Sequence, residues 1–259
     1  MNVTNRRALL GSAAASLALG LAGCNSVQPK PEIQPAAPGR RGKRDPKAAA
    51  PKVEASIDEQ RYQALYNTIP GEKFPVNAIR PGVIPPDFWR SEIDYRGGEP
   101  AGTIIVDPKA HYLYFVTGSG KAMRYGVGVG REGFAWSGSA TINSKQEWPD
   151  WYPPIEMIER QPDLKKSVTK LQSGVGVPGG PHNPLGARAM YLWQNNKDTL
   201  FRIHGTLEPG SIGKSVSSGC IRMVNQDAID LYQRVAVGTK VVVLGNAQPA
   251  PQTLAARHS

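Results

Sequence analysis

From about residue 101 the hydrophobic pattern becomes that of a β protein. Residues 102–106 are rich in β-formers, 107–110 carry turn residues, and 111–117 return as an aromatic and β-branched run, which predicts a hairpin. Within 122–129, Tyr125, Val127 and Val129 alternate with Gly and Arg; 189–194, 200–204 and 240–244 read as further strands. One stretch has helical spacing. Over 225–235, Ile229, Leu231, Tyr232 and Val235 supply an apolar side, and Asn225 stands where it can cap the first turn. Upstream, Ile57, Tyr62, Leu65, Tyr66 and Ile69 recur every three to four residues and predict a helix over 57–69. Residues 70–100, rich in Pro and Gly, read as an extended strap packed on the domain. No internal repeat is visible. The pattern is that of a mainly β domain with a few helices, flanked by extensions.

Length and composition narrow this. At 259 residues the chain holds one full domain with extensions. The 28 Gly and 23 Pro exceed their usual share and argue against a helix bundle. With only Cys24 and Cys220, a disulfide scaffold and any multi-cysteine metal site are excluded. No set of three or four convergent ligands for a metal is visible, and no cofactor is expected. The net charge of +10 suits an anionic polymer: nucleic acid, a phospholipid surface or an acidic cell wall.

The N-terminus decides among these. Arg6 and Arg7 precede a short apolar, small-residue run up to Gly23, the layout of a secretory signal. The run is shorter than the ~20 residues that span a bilayer. The paired arginines resemble a twin-arginine export signal, and Leu21-Ala22-Gly23-Cys24 resembles a bacterial lipobox, in which the cysteine thiol is acylated. Residues 1–24 are therefore expected to be a signal peptide with lipidation at Cys24. The mature protein is then an exported, periplasmic, membrane-anchored lipoprotein, and nucleic acid is not a partner. Residues 25–56 read as a disordered Pro-rich tether. Its basic cluster, Arg40, Arg41, Lys43, Arg44 and Lys47, is either solvated or held at anionic headgroups. Residues 57–100 are expected to form the helix and strap, 101–246 the folded domain, and 247–259 a loose tail.

The chemistry concentrates in Ile203-His204-Gly205-Thr206 and Ser217-Ser218-Gly219-Cys220-Ile221-Arg222-Met223. Cys220 is the only cysteine of the folded domain, and a lone cysteine with a histidine elsewhere is a candidate nucleophile. A neighbouring imidazole lowers a thiol's pKa. His204 ends a strand sixteen residues earlier, and a strand–loop–strand return brings the two together. Gly219 permits a sharp bend before the nucleophile. The backbone N–H groups of Ser218, Gly219 and Cys220 are then placed to form an oxyanion hole. The same residues also fit a buried structural cysteine and a structural histidine.

These segments resemble the L,D-transpeptidases, the YkuD-type catalytic domain family. So do Trp148-Pro149-Asp150-Trp151-Tyr152-Pro153-Pro154, the run from Pro178 to Gly186, and Gly126-Val127-Gly128-Val129-Gly130. The resemblance covers about residues 101–245 and implies a β-sandwich-like catalytic domain with a few short helices. Two departures stand out: Ser218 replaces a histidine common in the family, and Ser137-Gly138-Ser139-Ala140 replaces a common Thr-Pro-Thr-Gly.

The resemblance implies that Cys220 attacks the carbonyl between the third and fourth residues of a peptidoglycan tetrapeptide stem. The terminal D-alanine leaves, a thioester forms, and an amine of another stem resolves it to a 3→3 cross-link. His204 is the implied general acid/base, oriented by a backbone carbonyl. Arg222 either holds a stem carboxylate or braces the loop by an internal ion pair. Ser217 shapes the turn or lies near the thiolate. Trp151 and Tyr152, with Trp148, are candidates for the groove wall. Tyr191 and Trp193 are assigned to the core, and His182 to loop shaping. Two alternatives remain: a cysteine amidase or carboxypeptidase that hydrolyses stem peptides or lipoprotein–peptidoglycan links, and a non-catalytic wall-binding lipoprotein.

Overall fold

The computed structural model describes residues 56–131, 136–217 and 219–245, and the backbone of 253–254. In chain order the elements are α1 (Ile57–Tyr66), β1 (Ser91–Tyr95), β2 (Ile104–Asp107), β3 (Tyr112–Gly118), β4 (Lys121–Gly126), β5 (Val129–Gly130) and β6 (Gly138–Glu147). Then come α2 (Ile155–Arg160), α3 (Pro162–Ser167), β7 (Thr169–Leu171), β8 (Gly174–Gly176), β9 (Arg188–Gln194) and β10 (Lys197–Thr206). β11 (Ser215–Ser217), β12 (Ile221–Val224), α4 (Asn225–Arg234), β13 (Lys240–Val243) and β14 (Thr253–Leu254) complete the fold.

Ten strands make one mixed sheet in the order β12-β10-β9-β6-β13-β2-β3-β4-β1-β14. Only β10–β12 and β13–β2 run parallel; the other neighbours are antiparallel. The sheet curls until its flanks meet. Beyond β4, Gly128 exchanges two backbone hydrogen bonds with Arg222 of β12, at 2.9 and 2.7 Å. One core therefore takes side chains from distant strands: Ile104 and Val106, Leu113 and Tyr125, Ile142, Met190 and Leu192, Ile203, Ile221 and Met223, closed by Ala228 and Leu231 of α4. β2 is buried along its whole length because both its faces are covered. Its other face, through Ile105, joins Ile93, Tyr95, Tyr114, Val116 and Ala122 in a second cluster. The mainly β, sandwich-like expectation with few short helices matches this architecture.

Several element boundaries differ from the sequence reading. α1 ends at Tyr66, not at 69, and Ile57 is 84% exposed, so it belongs to no buried face. Ser56 caps the helix by accepting from the Glu59 amide. The chain then turns extended, and Ile69 pairs with Val76. Tyr62 and Tyr66 pack on Ile84, Trp89, Ile212 and Val224, which fastens α1 and the strap to the domain. The end of the strap is a true strand, β1, paired with β4. Asn225 is not a cap. It is the first residue of α4, whose preceding residue, Val224, makes no side-chain capping bond. β6, α2, α3, β7 and β8 have no counterpart in the sequence reading. The segment expected as a loose tail includes β14, which pairs with β1.

Candidate active site

β10 and β12 position the chemistry. They pair in parallel with Ile203 opposite Ile221, His204 opposite Arg222 and Thr206 opposite Val224. The intervening chain loops out after Thr206 and returns through β11, which pairs with β5. It then bends at Gly219, which has a φ of 129°, a conformation that side chains other than glycine's rarely adopt. Ser217 sits inside this bend. Its hydroxyl donates to the Cys220 carbonyl at 2.7 Å and accepts from the Gly219 amide at 3.3 Å. Gly130 lies beneath, so close that a Cβ there would collide with the Gly219 backbone. Asn225 fixes the other side: its Oδ1 accepts from the Ala187 amide at 2.9 Å, in a space that side chains at Gly186 or Gly205 would fill.

His204 is buried, at 4% exposure. Its Nδ1 lies 2.5 Å from the Gly205 carbonyl oxygen. A carbonyl only accepts, so Nδ1 carries the proton and Nε2 is left with the lone pair. Burial pulls the His204 pKa down to about 4, opposed by the Gly205 carbonyl and assisted by the positive charges of Arg222 and Arg202. The ring is therefore neutral at neutral pH and able to accept a proton.

Cys220 is free and half-buried. Burial pushes its thiol above the ordinary value; a backbone hydrogen bond from Arg202 and the charges of Arg202 and Arg222 only partly oppose this. The sequence reading expects an imidazole to depress this thiol. In the structure desolvation instead disfavours the charged form of each group.

Both groups line one cavity of about 450 Å³, together with Ser217, Arg222 and Trp151. The excursion between Trp151 and Val177 covers it, contributing Met157, Gln161, Leu164 and Ser167. Exposed apolar side chains stand nearby: Tyr152, Ile155, Val175 and Val216. Tyr152 is not among the lining residues; its hydroxyl donates to Asp150. Trp148 is buried against the strap ring of Phe74 and lies outside this cavity. Arg222 makes the internal ion pair that was one of its two expected roles, donating to Glu208 at 2.7 Å, and it also lines the cavity. Of the proposed oxyanion donors, the Gly219 amide is engaged by Ser217, and Ser218 lies outside the described residues, as does Cys24. Tyr191 and Trp193 are only partly buried rather than core; Tyr191 lies under the Arg202 guanidinium.

Sequence reasoning missed the covering excursion; His182, expected to shape a loop rather than serve as a second base, lines the cavity too. α2 and α3 are six residues each and bury no residue, so they carry no periodic signal. Among the described residues no three His, Cys, Asp or Glu side chains converge as metal ligands, and no helix is long and apolar enough to cross a membrane.

The family model described as the L,D-transpeptidase catalytic domain, YkuD, matches residues 101–243. The probable L,D-transpeptidase ErfK/SrfK of Escherichia coli K12 is 31% identical over 59% of this chain and 46% of its own length. A putative L,D-transpeptidase from the ATP synthase subunits region of Fuscovulum blasticum is 31% identical over 60% of this chain and 75% of its own. A crystal structure described as a probable carnitine operon oxidoreductase from Brucella melitensis is 50% identical, covering 62% of this chain and 96% of that one at a TM-score of 0.40. The chain spans less than half the length of the E. coli relatives it matches. With more than half of its residues matched by the family model, this chain belongs to the L,D-transpeptidase catalytic domain family.

Proposed function

We propose that the protein is a peptidoglycan L,D-transpeptidase working through a thioester on Cys220. The observation that carries this reading is the shared cavity of Cys220 and a neutral His204 whose Nδ1 proton is held by the Gly205 carbonyl. His204 takes the thiol proton as Sγ attacks the carbonyl between the third and fourth stem residues. The C–N bond then breaks, the proton passes to the departing amine, and D-alanine leaves. An amine of a second stem attacks the thioester, loses its proton to His204, and releases the thiol with a 3→3 cross-link. Of the three candidate oxyanion donors, the Cys220 and Ser218 amides are the ones assigned to the developing oxyanion, since the Gly219 amide donates to Ser217.

The proposal extends to the whole chain. Residues 1–24 direct export, lipidated Cys24 anchors the protein in the membrane, and 25–56 tether the catalytic domain to reach the wall. The decisive experiment incubates purified protein with disaccharide-tetrapeptide muropeptides and separates the products by mass. Cross-linked dimers together with free D-alanine are expected. Tripeptide alone, with no dimer, would assign the chain as a hydrolase. A Cys220→Ala protein that forms products at the parent rate would remove the enzymatic reading altogether.

A further inference from the structure

A second cavity, of about 540 Å³, meets the Cys220 cavity at His182, which lines both. Its inner wall comes from the catalytic domain, through Trp148, Thr206 and Gln226. Its outer wall is the strap, from Pro75 through Arg80 to Val83, which lies before the first residue matched by the family model. The strap is not loosely laid there. Gln226 is buried and its side-chain amide donates to the carbonyls of Tyr66, Asn67 and Asn77. The Tyr62 hydroxyl donates to the Arg80 carbonyl at 2.9 Å, and the Ile79 amide to the Tyr66 carbonyl at 2.9 Å. The wall is thus held before any ligand arrives.

The charge in this cavity has one sign. No Asp or Glu lines it, and Arg80, exposed at its edge, forms no ion pair among the described residues. The uncapped first turn of α4 adds the positive end of a helix dipole through Asn225 and Gln226. An unpaired guanidinium over a cavity of this size suits a carboxylate on a peptide-sized molecule.

We propose that this strap-walled cavity is the subsite of the acceptor stem peptide, and that Arg80 holds one of its carboxylates while its amine reaches Cys220 past His182. This rests on the transpeptidase reading above. Acceptor choice then resides in a segment outside the family domain.

The test uses the full chain with Arg80→Ala, Arg80→Glu and Arg80→Lys, each checked for an unchanged melting temperature. Two readouts run together: D-alanine release from a tetrapeptide donor whose side-chain amine is acetylated so that it cannot act as acceptor, and the KM for a separate acceptor stem in dimer formation. Calorimetry of the acceptor stem and of its fully amidated form provides a third, independent of turnover. Loss of a charge-assisted contact should raise the acceptor KM by roughly tenfold to a hundredfold in Arg80→Ala. The rise should be larger in Arg80→Glu and mostly recovered in Arg80→Lys, with donor-only release unchanged. The amidated stem should bind parent and Arg80→Glu alike. An acceptor KM and stem affinity unmoved by Arg80→Glu overturn the proposal. If the parent releases no D-alanine, the transpeptidase reading fails, and the calorimetry alone decides whether Arg80 marks an anionic-peptide subsite.

Discussion

His204 and Arg222 stand directly opposite each other across the parallel β10–β12 ladder, and the guanidinium charge helps keep the imidazole unprotonated. Burial is the larger cause, so this charge adjusts a base that desolvation has already set. Removing it, as in Arg222→Gln, favours the imidazolium and moves the His204 pKa upward from about 4. The acid limb of the kcat/KM profile should shift to higher pH by less than about one unit, since the desolvation remains. A profile shifted downward would contradict this.

The thiol makes the complementary prediction. Because burial raises Cys220 above the ordinary thiol value, alkylation by iodoacetamide should be slow at neutral pH and climb only in the alkaline range. A rate that plateaus below pH 7 would show a preformed thiolate–imidazolium pair instead. If Cys220 is the nucleophile, a carbapenem should acylate it and leave an adduct visible by mass spectrometry; an unmodified Cys220 after long incubation counts against its role.

The bend before Cys220 leans on Gly130. A methyl group there meets the Gly219 backbone, so Gly130→Ala must displace the loop before Cys220 or β5. Overpacking of this kind costs typically about 1–3 kcal/mol. A lower melting temperature and a loss of turnover should appear together. A variant with parental stability and activity would mean that the loop moves freely.

A buried acid away from the site controls how stability responds to pH. Asp227 lies within α4, 1% exposed, near Arg90 of the strap and the Tyr66 hydroxyl. Burial raises its pKa to about 7, against the attraction of Arg90. A folded-state pKa above the unfolded one gives a contribution complete below about pH 4, which is lost as pH rises through 7. His204 has the opposite slope: its depressed pKa penalises folding as pH falls from about 6.5 to about 4. The difference between parent and Asp227→Asn isolates the aspartate. The variant should gain on the parent between pH 4 and 7, by an amount on the order of a few kcal/mol, measured by urea unfolding. A pH-independent difference would show that Asp227 is ionised throughout.

What the sequence disclosed follows from which residues carry a local pattern. The 104–118 hairpin, β9, α4 and β13 alternate or repeat strongly enough to be read directly. β6 does not: only Ala140 and Ile142 of its ten residues are buried, and polar side chains fill the rest. It is a strand because β9 and β13 flank it. Cys220 and His204 drew notice in the sequence because they are rare residues, although His204 lies inside β10, which continues to Thr206, rather than ending it. Their protonation states were not legible there, since these depend on burial by a fold not yet assembled. The role of Asn225 in tying α4 to Ala187 was likewise hidden, because its partner is 38 residues away.

Rapid mixing of the purified protein with a tetrapeptide stem, followed by acid quench and intact-mass and peptide mapping, asks the central question directly. A tripeptide acyl group on Cys220, absent in Cys220→Ala and formed much more slowly in His204→Ala, is the predicted result. Steady product formation with no acyl group ever found on Cys220, and none lost on its replacement, would contradict the mechanism.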